Sequence, residues 1–141
     1  MASQLNVDTP VEQFELDRGI PLFIKPAGLT TGGTVEASGS QIDFAPTILD
    51  YLGLPTDYML GQSLADETPN LTVFRDGSFR YDDYYFVPDL TKATDEGTCY
   101  AVSTQETVAP AFCEPHIDSA IDQLTLSDTI IETNALETIQ P

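Results

Sequence analysis

At 141 residues the chain is long enough for one domain with its own hydrophobic core, and 41% apolar and 20% charged residues make it a folded globular domain rather than a disordered segment. Five Lys and Arg against 23 Asp and Glu leave a net charge of −18, which repels nucleic-acid phosphates and anionic lipid headgroups. Both partner classes are disfavoured, and the acidity reads either as a solubilising surface suited to a salty medium or as a seat for cations or a basic partner.

No apolar run approaches the roughly 20 residues that span a bilayer. The start, MASQLNVDTPVEQFELD, has neither the basic nor the apolar stretch of a signal peptide. Residues 1–18 are polar and acidic and read as a lead-in. Ile20-Pro21-Leu22-Phe23-Ile24 predicts a short strand buried on both faces, with Pro21 near its beginning. The following LTTGGTVEASGS lacks a Lys after its glycines and the G-x-x-x-x-G-K-[ST] spacing, so it is a surface connection and not a phosphate cradle.

A helix is predicted from Asp43. Its carboxylate is placed to cap the N–H of Ala45, and Pro46 falls in the first turn. Ala45, Ile48, Leu49 and Leu52 recur at helical spacing, and Gly53 supplies the left-handed stop before Leu54 and Pro55. Such a stripe needs an apolar partner, and the strand at Ile20–Ile24 is the nearest.

From Leu71 the period changes to two. Leu71–Arg75 and Ser78–Tyr81 flank Asp76-Gly77, a signal for a hairpin with a two-residue turn. Tyr84-Tyr85-Phe86-Val87 follows as a third strand stopped by Pro88, and Cys99-Tyr100-Ala101-Val102 as a fourth. Ile117, Ile121, Leu124, Ile131 and Leu136 then recur at helical intervals, giving one helix, or two broken near Ser127, over the meander. The expected architecture is α+β: a strand–loop–helix over 19–64, an antiparallel sheet over 70–102 and a helical segment over 115–139.

Candidate chemistry is sparse. Cys99 and Cys113 match no zinc spacing; they are either a disulfide, which implies an oxidising compartment, or two unpaired thiols. His116 is the only histidine, and beside Cys113 it makes a thiol dyad without the third, orienting group such a site needs. Asp82, Asp83, Asp89, Asp95 and Glu96 supply carboxylates for a calcium-binding surface module but lack the alternate-residue spacing and central Gly of a calcium loop. Arg75 and Arg80 offset nearby carboxylates, and Tyr81, Tyr84, Tyr85 and Phe86 alternate as ordinary strand composition rather than as a sugar-stacking platform. No catalytic, cofactor-binding or metal-binding residue is assigned.

QIDFAPTILDYLGL (Gln41 to Leu54), with Tyr58-Met59-Leu60-Gly61-Gln62-Ser63-Leu64 after it, resembles the late segment of sulfatase-fold enzymes. Among these it looks most like the lipoteichoic acid synthase and phosphoglycerol transferase branch of the alkaline phosphatase superfamily. Ile20–Ile24 with Pro26 and Gly28 is similar to the strand before that helix, and Val73–Phe79 to the strand after it. The resemblance covers about residues 17–87. It implies a membrane-anchored parent with an extracytoplasmic catalytic domain. That parent would transfer glycerol phosphate from phosphatidylglycerol through a threonine nucleophile beside manganese or magnesium. It also implies that the G-D-H metal motif and the nucleophile precede the segment matched here. This sequence contains neither, so the resemblance makes it a non-catalytic C-terminal portion, with Asp43 and Gly53 as structural helix caps. A sulfatase or phosphatase parent fits the same segments. The expected partner is the rest of the parent domain, without nucleic acid or direct membrane contact. The unpaired apolar strand edge calls for a homodimer or for an N-terminal segment folded back over it.

Overall fold

The computed structural model describes residues 9–28, 30–57, 59–66, 68–92 and 96–138. Its centre is a four-stranded antiparallel meander in the order β1 (Leu71–Val73), β2 (Phe79–Tyr81), β3 (Tyr84–Pro88) and β4 (Gly97–Ala101). The register places Val73, Phe79, Phe86 and Cys99 in one cross-strand row and Thr72, Arg80, Tyr85 and Tyr100 in the next, so successive rows face opposite sides.

The first hairpin turns on three residues rather than two. Phe74 N–H donates to the Ser78 carbonyl and Gly77 N–H to the Phe74 carbonyl, both at 2.9 Å, so Arg75, Asp76 and Gly77 form the loop. Gly77 has φ +84, the left-handed position such a loop requires. The reason for the extra residue is Asp76. Its carboxylate accepts the Ser78 N–H at 3.0 Å and the Ser78 hydroxyl at 2.6 Å, and this local ring fixes the wider turn.

One sheet face carries the core. Phe79 and Phe86 stack with centroids 5.0 Å apart, and Cys113, Ile117 and Ala120 of the following helix close over them. That helix, α3 (Glu114–Thr133), takes Pro115 in its first turn and ends at Asn134, whose φ is +51. Of the two alternatives, one helix or two broken near Ser127, the structure has the single helix through Ser127. A serine there costs a helix only tenths of a kcal/mol, and neighbouring Thr125 and Thr129 return their hydroxyls to carbonyls four residues back. The stop belongs instead to the left-handed asparagine. Ile139 lies outside the described residues.

Cys99 of β4 and Cys113 at the head of α3 are joined by a disulfide, with Cα atoms 5.9 Å apart and both residues buried. The bridge staples the last strand to the covering helix at the edge of the aromatic core.

Within the polar stretch read as a lead-in, Pro10–Arg18 is a helix, α1, with Val11 fully buried. Residues 1–8 lie outside the described residues. The local signal is Thr9-Pro10-Val11-Glu12, a Ser/Thr-x-x-Glu start with Pro at the first helical position. Thr9 Oγ1 accepts the Glu12 N–H at 3.1 Å and donates to Gln105 Oε1 at 3.1 Å. At the other end Arg18 meets Asp76 at 2.6 Å, donates to Ser78 Oγ at 3.2 Å and lies 4.7 Å over the Phe74 ring. The helix thus reaches from the β4 side of the sheet to the first hairpin.

Residues 20–24 also depart from expectation. They form no strand and are not buried, with Ile20 67% and Phe23 89% exposed. Among the described residues no strand lies beside them, and a lone extended segment has no ladder to join.

Two outcomes follow from this packing. Opening the bridge with reductant, or as Cys99→Ala with Cys113→Ala, lowers the unfolding free energy by about 3 kcal/mol in a urea titration; an unchanged midpoint would contradict its role as a staple. The Arg18–Asp76 pair is acid-sensitive. Burial pushes the Asp76 carboxyl up, but the Arg18 guanidinium and the two Ser78 donors outweigh it and hold it at about 2 against an ordinary 3.8. A carboxyl depressed in the folded state stabilises fully above its unfolded value and loses that contribution as pH falls from about 4 to 2. Both side chains are more than a third exposed, so the contribution is modest and salt-screened. The stability difference between wild type and Arg18→Met shrinks between pH 6 and pH 2.5, and a difference that holds constant would refute the pairing.

Candidate functional site

The most constrained constellation is built around α2 (Phe44–Tyr51). A 3-10 turn, Gln41–Asp43, precedes it with Ser40 as its N-cap. Asp43 therefore already has right-handed helical backbone angles, φ −84 and ψ −10, and makes no side-chain cap bond to α2. This corrects the expected Asp43–Ala45 cap. A capping side chain requires an extended backbone, which here belongs to Ser40.

The Asp43 carboxylate turns inward and is 1% exposed. It accepts the Ser40 N–H at 2.6 Å and the Ser40 hydroxyl at 3.3 Å. It also accepts the Gln62 N–H and the Asn70 side-chain amide, each at 2.9 Å. One carboxylate thereby ties together the start of α2, the segment after it and the residue that leads into β1. Gly61 makes the approach possible: a Cβ there would overlap the Ile42 carbonyl and the Asp43 carboxylate. Thr47, also buried, donates to the Asp43 carbonyl at 2.6 Å and accepts the Leu64 N–H at 3.0 Å. Asp50 accepts the Ser63 hydroxyl at 2.6 Å. The helix ends at Gly53, φ +66, with Gly53 N–H to Asp50 O and Leu54 N–H to Leu49 O, both 2.9 Å, the paired bonds of a Schellman stop.

The packing direction of α2 is the reverse of that expected. Pro46 and Thr47 are its buried residues, whereas Ile48 is 50% and Leu52 65% exposed. The apolar stripe does not dock on residues 20–24. The helix buries its polar attachments and presents its aliphatic side to water.

The other candidates resolve individually. Cys113 is committed to the disulfide, so it forms no thiol dyad with His116. The His116 ring stacks on Tyr81 with centroids 3.9 Å apart, and burial holds its imidazole below the ordinary range. Asp83 accepts the Ser103 N–H and hydroxyl, Asp89 accepts the same pair from Thr91, and Lys92 bridges Asp89 and Glu96. Asp95 lies outside the described residues, as does Tyr58. Arg75 pairs with Asp128, and Arg80 Nε donates to the Asp82 carbonyl. Tyr84 stacks on Phe112, while Tyr85 and Phe86 are buried. Among the described residues no group of three or more His, Cys, Asp or Glu side chains could hold a metal ion, so the residues present do not fit a manganese or magnesium centre.

No protein-family model matches the chain. Lipoteichoic acid synthase-like YvgJ of Bacillus subtilis (strain 168) is 33% identical to it over 145 residues, covering 96% of this chain and 22% of that protein. Lipoteichoic acid synthase 2 of the same organism is 33% identical over 147 residues, covering 100% of this chain and 21% of that protein. The chain is lipoteichoic acid synthase-like. It spans about a fifth of the length of these curated relatives, and its resemblance is to their C-terminal portion. The crystal structure of the lipoteichoic acid synthase LtaP from Listeria monocytogenes superposes with a TM-score of 0.65 at 21% identity, over 74% of this chain and 27% of that one. At that identity the likeness concerns the fold: the antiparallel meander with its C-terminal helix.

Asp43→Ala leaves the buried Asn70 amide without an acceptor, at about 1–3 kcal/mol, and removes the acceptor of the part-buried Gln62 N–H as well. Gly61→Ala forces the same cluster apart by overlap. Both variants expose 40–64 to limited proteolysis while the near-ultraviolet signal of the β2–β3 aromatics persists; wild-type resistance in both would sink the assignment of Asp43 as the tie.

Proposed function

We propose that this chain is a non-catalytic portion of an extracytoplasmic, membrane-anchored phosphoglycerol transferase of the sulfatase-type superfamily. In this reading the whole enzyme moves glycerol phosphate from phosphatidylglycerol with the help of manganese or magnesium. The observation that carries it is the one-third identity to two lipoteichoic acid synthase-like proteins along essentially the whole chain. The wording of the resemblance in the sequence, QIDFAPTILDYLGL with its flanking segments, agrees with it.

Two further features support the reading. The Cys99–Cys113 bridge suits an oxidising compartment outside the cytoplasm. No helix among the described residues is long and apolar enough to cross a membrane, so the anchor in this proposal belongs to other polypeptide. The same holds for the nucleophile and the metal ligands. When bound, the metal would stabilise developing charge on the transferred phosphoryl group; the described residues of this chain hold none of its ligands, and their part is to complete and brace the fold around that site.

Replacing the matched fifth of lipoteichoic acid synthase 2 with this chain tests the proposal. The hybrid retains release of diacylglycerol from fluorescent phosphatidylglycerol with manganese, whereas the chain alone gives none above a protein-free control. A folded but inactive hybrid overturns the class, and turnover by the isolated chain overturns its non-catalytic status.

A further inference from the structure

The helix that covers the core is charged with one sign. α3 carries five carboxylates, at Glu114, Asp118, Asp122, Asp128 and Glu132, and no Lys or Arg. Glu114, Asp118 and Asp122 stand at i, i+4 and i+8, and Asp128 and Glu132 at i and i+4, so neighbours along the helix repel each other. Asp128 and Glu132 also lie toward the negative end of the helix dipole, and the last turn holds no basic residue. The elements around α3 add Asp76, Asp89, Glu96 and Glu137 against Arg75 and Lys92. Arg75 with Asp128 is the one ion pair of α3 among the described residues, and both side chains are more than a third exposed.

Anchorage is uneven along the same helix. Its buried residues, Ile117 and Ala120, sit in the first two turns, close to the Cys99–Cys113 bridge. From Thr125 to Thr133 no residue is buried, and Leu126 and Ile131 are 49% and 73% exposed. Five of those nine residues are Thr or Ile, whose branched side chains lose freedom in a helix. A cavity of about 280 Å³ lies between Leu124, Thr125 and Asp128 on one side and Phe79 and Phe86 on the other, so the sheet grips this half loosely. Burial and the bridge hold the first half against its own repulsion. Nothing comparable holds the second.

We propose that residues 125–133 are an ionic-strength switch, helical when salt screens the carboxylates and unwound in dilute buffer, while residues 114–121 stay docked. The range of the repulsion sets the working window. Screening acts over about 10 Å at 0.1 M salt and about 3 Å at 1 M. Carboxylates one turn apart, on Cβ atoms about 5–6 Å from each other, fall between those two ranges. A diffuse cation atmosphere is sufficient, and no ion has to be held at a site. Unwinding uncovers the cavity over Phe79 and Phe86, so the switch controls access to the edge of the core. It does not depend on the proposed function.

Amide hydrogen exchange on the chain in about 0.05 M and about 2 M NaCl tests the switch residue by residue. Protection of amides 126–133, each taken against its unstructured rate at the same salt, rises at least about tenfold with salt. Protection of Ile117–Ile121 and of Tyr85 and Phe86 changes less than about threefold. Asp122→Asn with Glu132→Gln and Glu137→Gln leaves Asp128 to Arg75 and brings protection in dilute buffer to within about twofold of its value in salt. Tetramethylammonium chloride acts as sodium chloride does. Protection of 126–133 that ignores salt overturns the switch, as does a response of the same size throughout the chain, which is global unfolding. So does a response that survives the triple substitution, or one that sodium alone produces.

Discussion

The bonds to the Asp43 carboxylate decide how residues 40–70 are arranged. Burying a carboxylate is costly unless donors replace water, and here two backbone N–H groups, one hydroxyl and one side-chain amide do so. The donors come from residues 40, 62 and 70, so satisfying the charge also closes the segment around α2 and fixes it to the entry of β1. No Lys or Arg pairs with it among the described residues; neutral dipoles alone hold it. Four donors on its two oxygens suit a structural tie.

The sheet and its covering helix are organised by apolar burial. Phe79 and Phe86 need a cover on one side of the sheet, and α3 provides it through Ile117 and Ala120 with the disulfide at the hinge of the two elements. At the other end of the chain Val11 of α1 is buried and Arg18 reaches the first hairpin. The hairpin loop therefore joins two layers: Asp76 shapes the turn through Ser78 and holds α1 through Arg18.

What the sequence made legible was local grammar with redundant signals. The β-prone runs around Asp76-Gly77, the proline after Val87 and the glycine after Leu52 each state an element's limit through backbone geometry, and the structure has elements ending near those points. Direction of packing was less legible. Ala45, Ile48, Leu49 and Leu52 form a helical stripe, but a stripe says only which side is apolar and not whether the partner is present. Asp43 was misread for a related reason: an acidic residue before an apolar run suits a cap, while the Ser40–Asp43 spacing that shifts the cap back by three residues is equally local and weaker. Gly61, Gln62 and Asn70 carry no local signal of their part around Asp43, since that role exists only after the chain returns to residue 43. At residues 10–18 the polar composition obscured a helix whose Thr9-Pro10-Val11-Glu12 start was visible.

The aliphatic side of α2 faces water, so the helix cannot owe its formation to burial of that side. Isolated helices as short as eight residues are marginal in water, and α2 is held instead by its stops and polar attachments: the Ser40 turn, the Gly53 stop and the bonds of Asp43, Thr47 and Asp50. Its strictest sequence requirements therefore fall on the polar residues that tie it to the rest of the chain, of which Asp43 and Thr47 are buried, and not on the exposed apolar stripe.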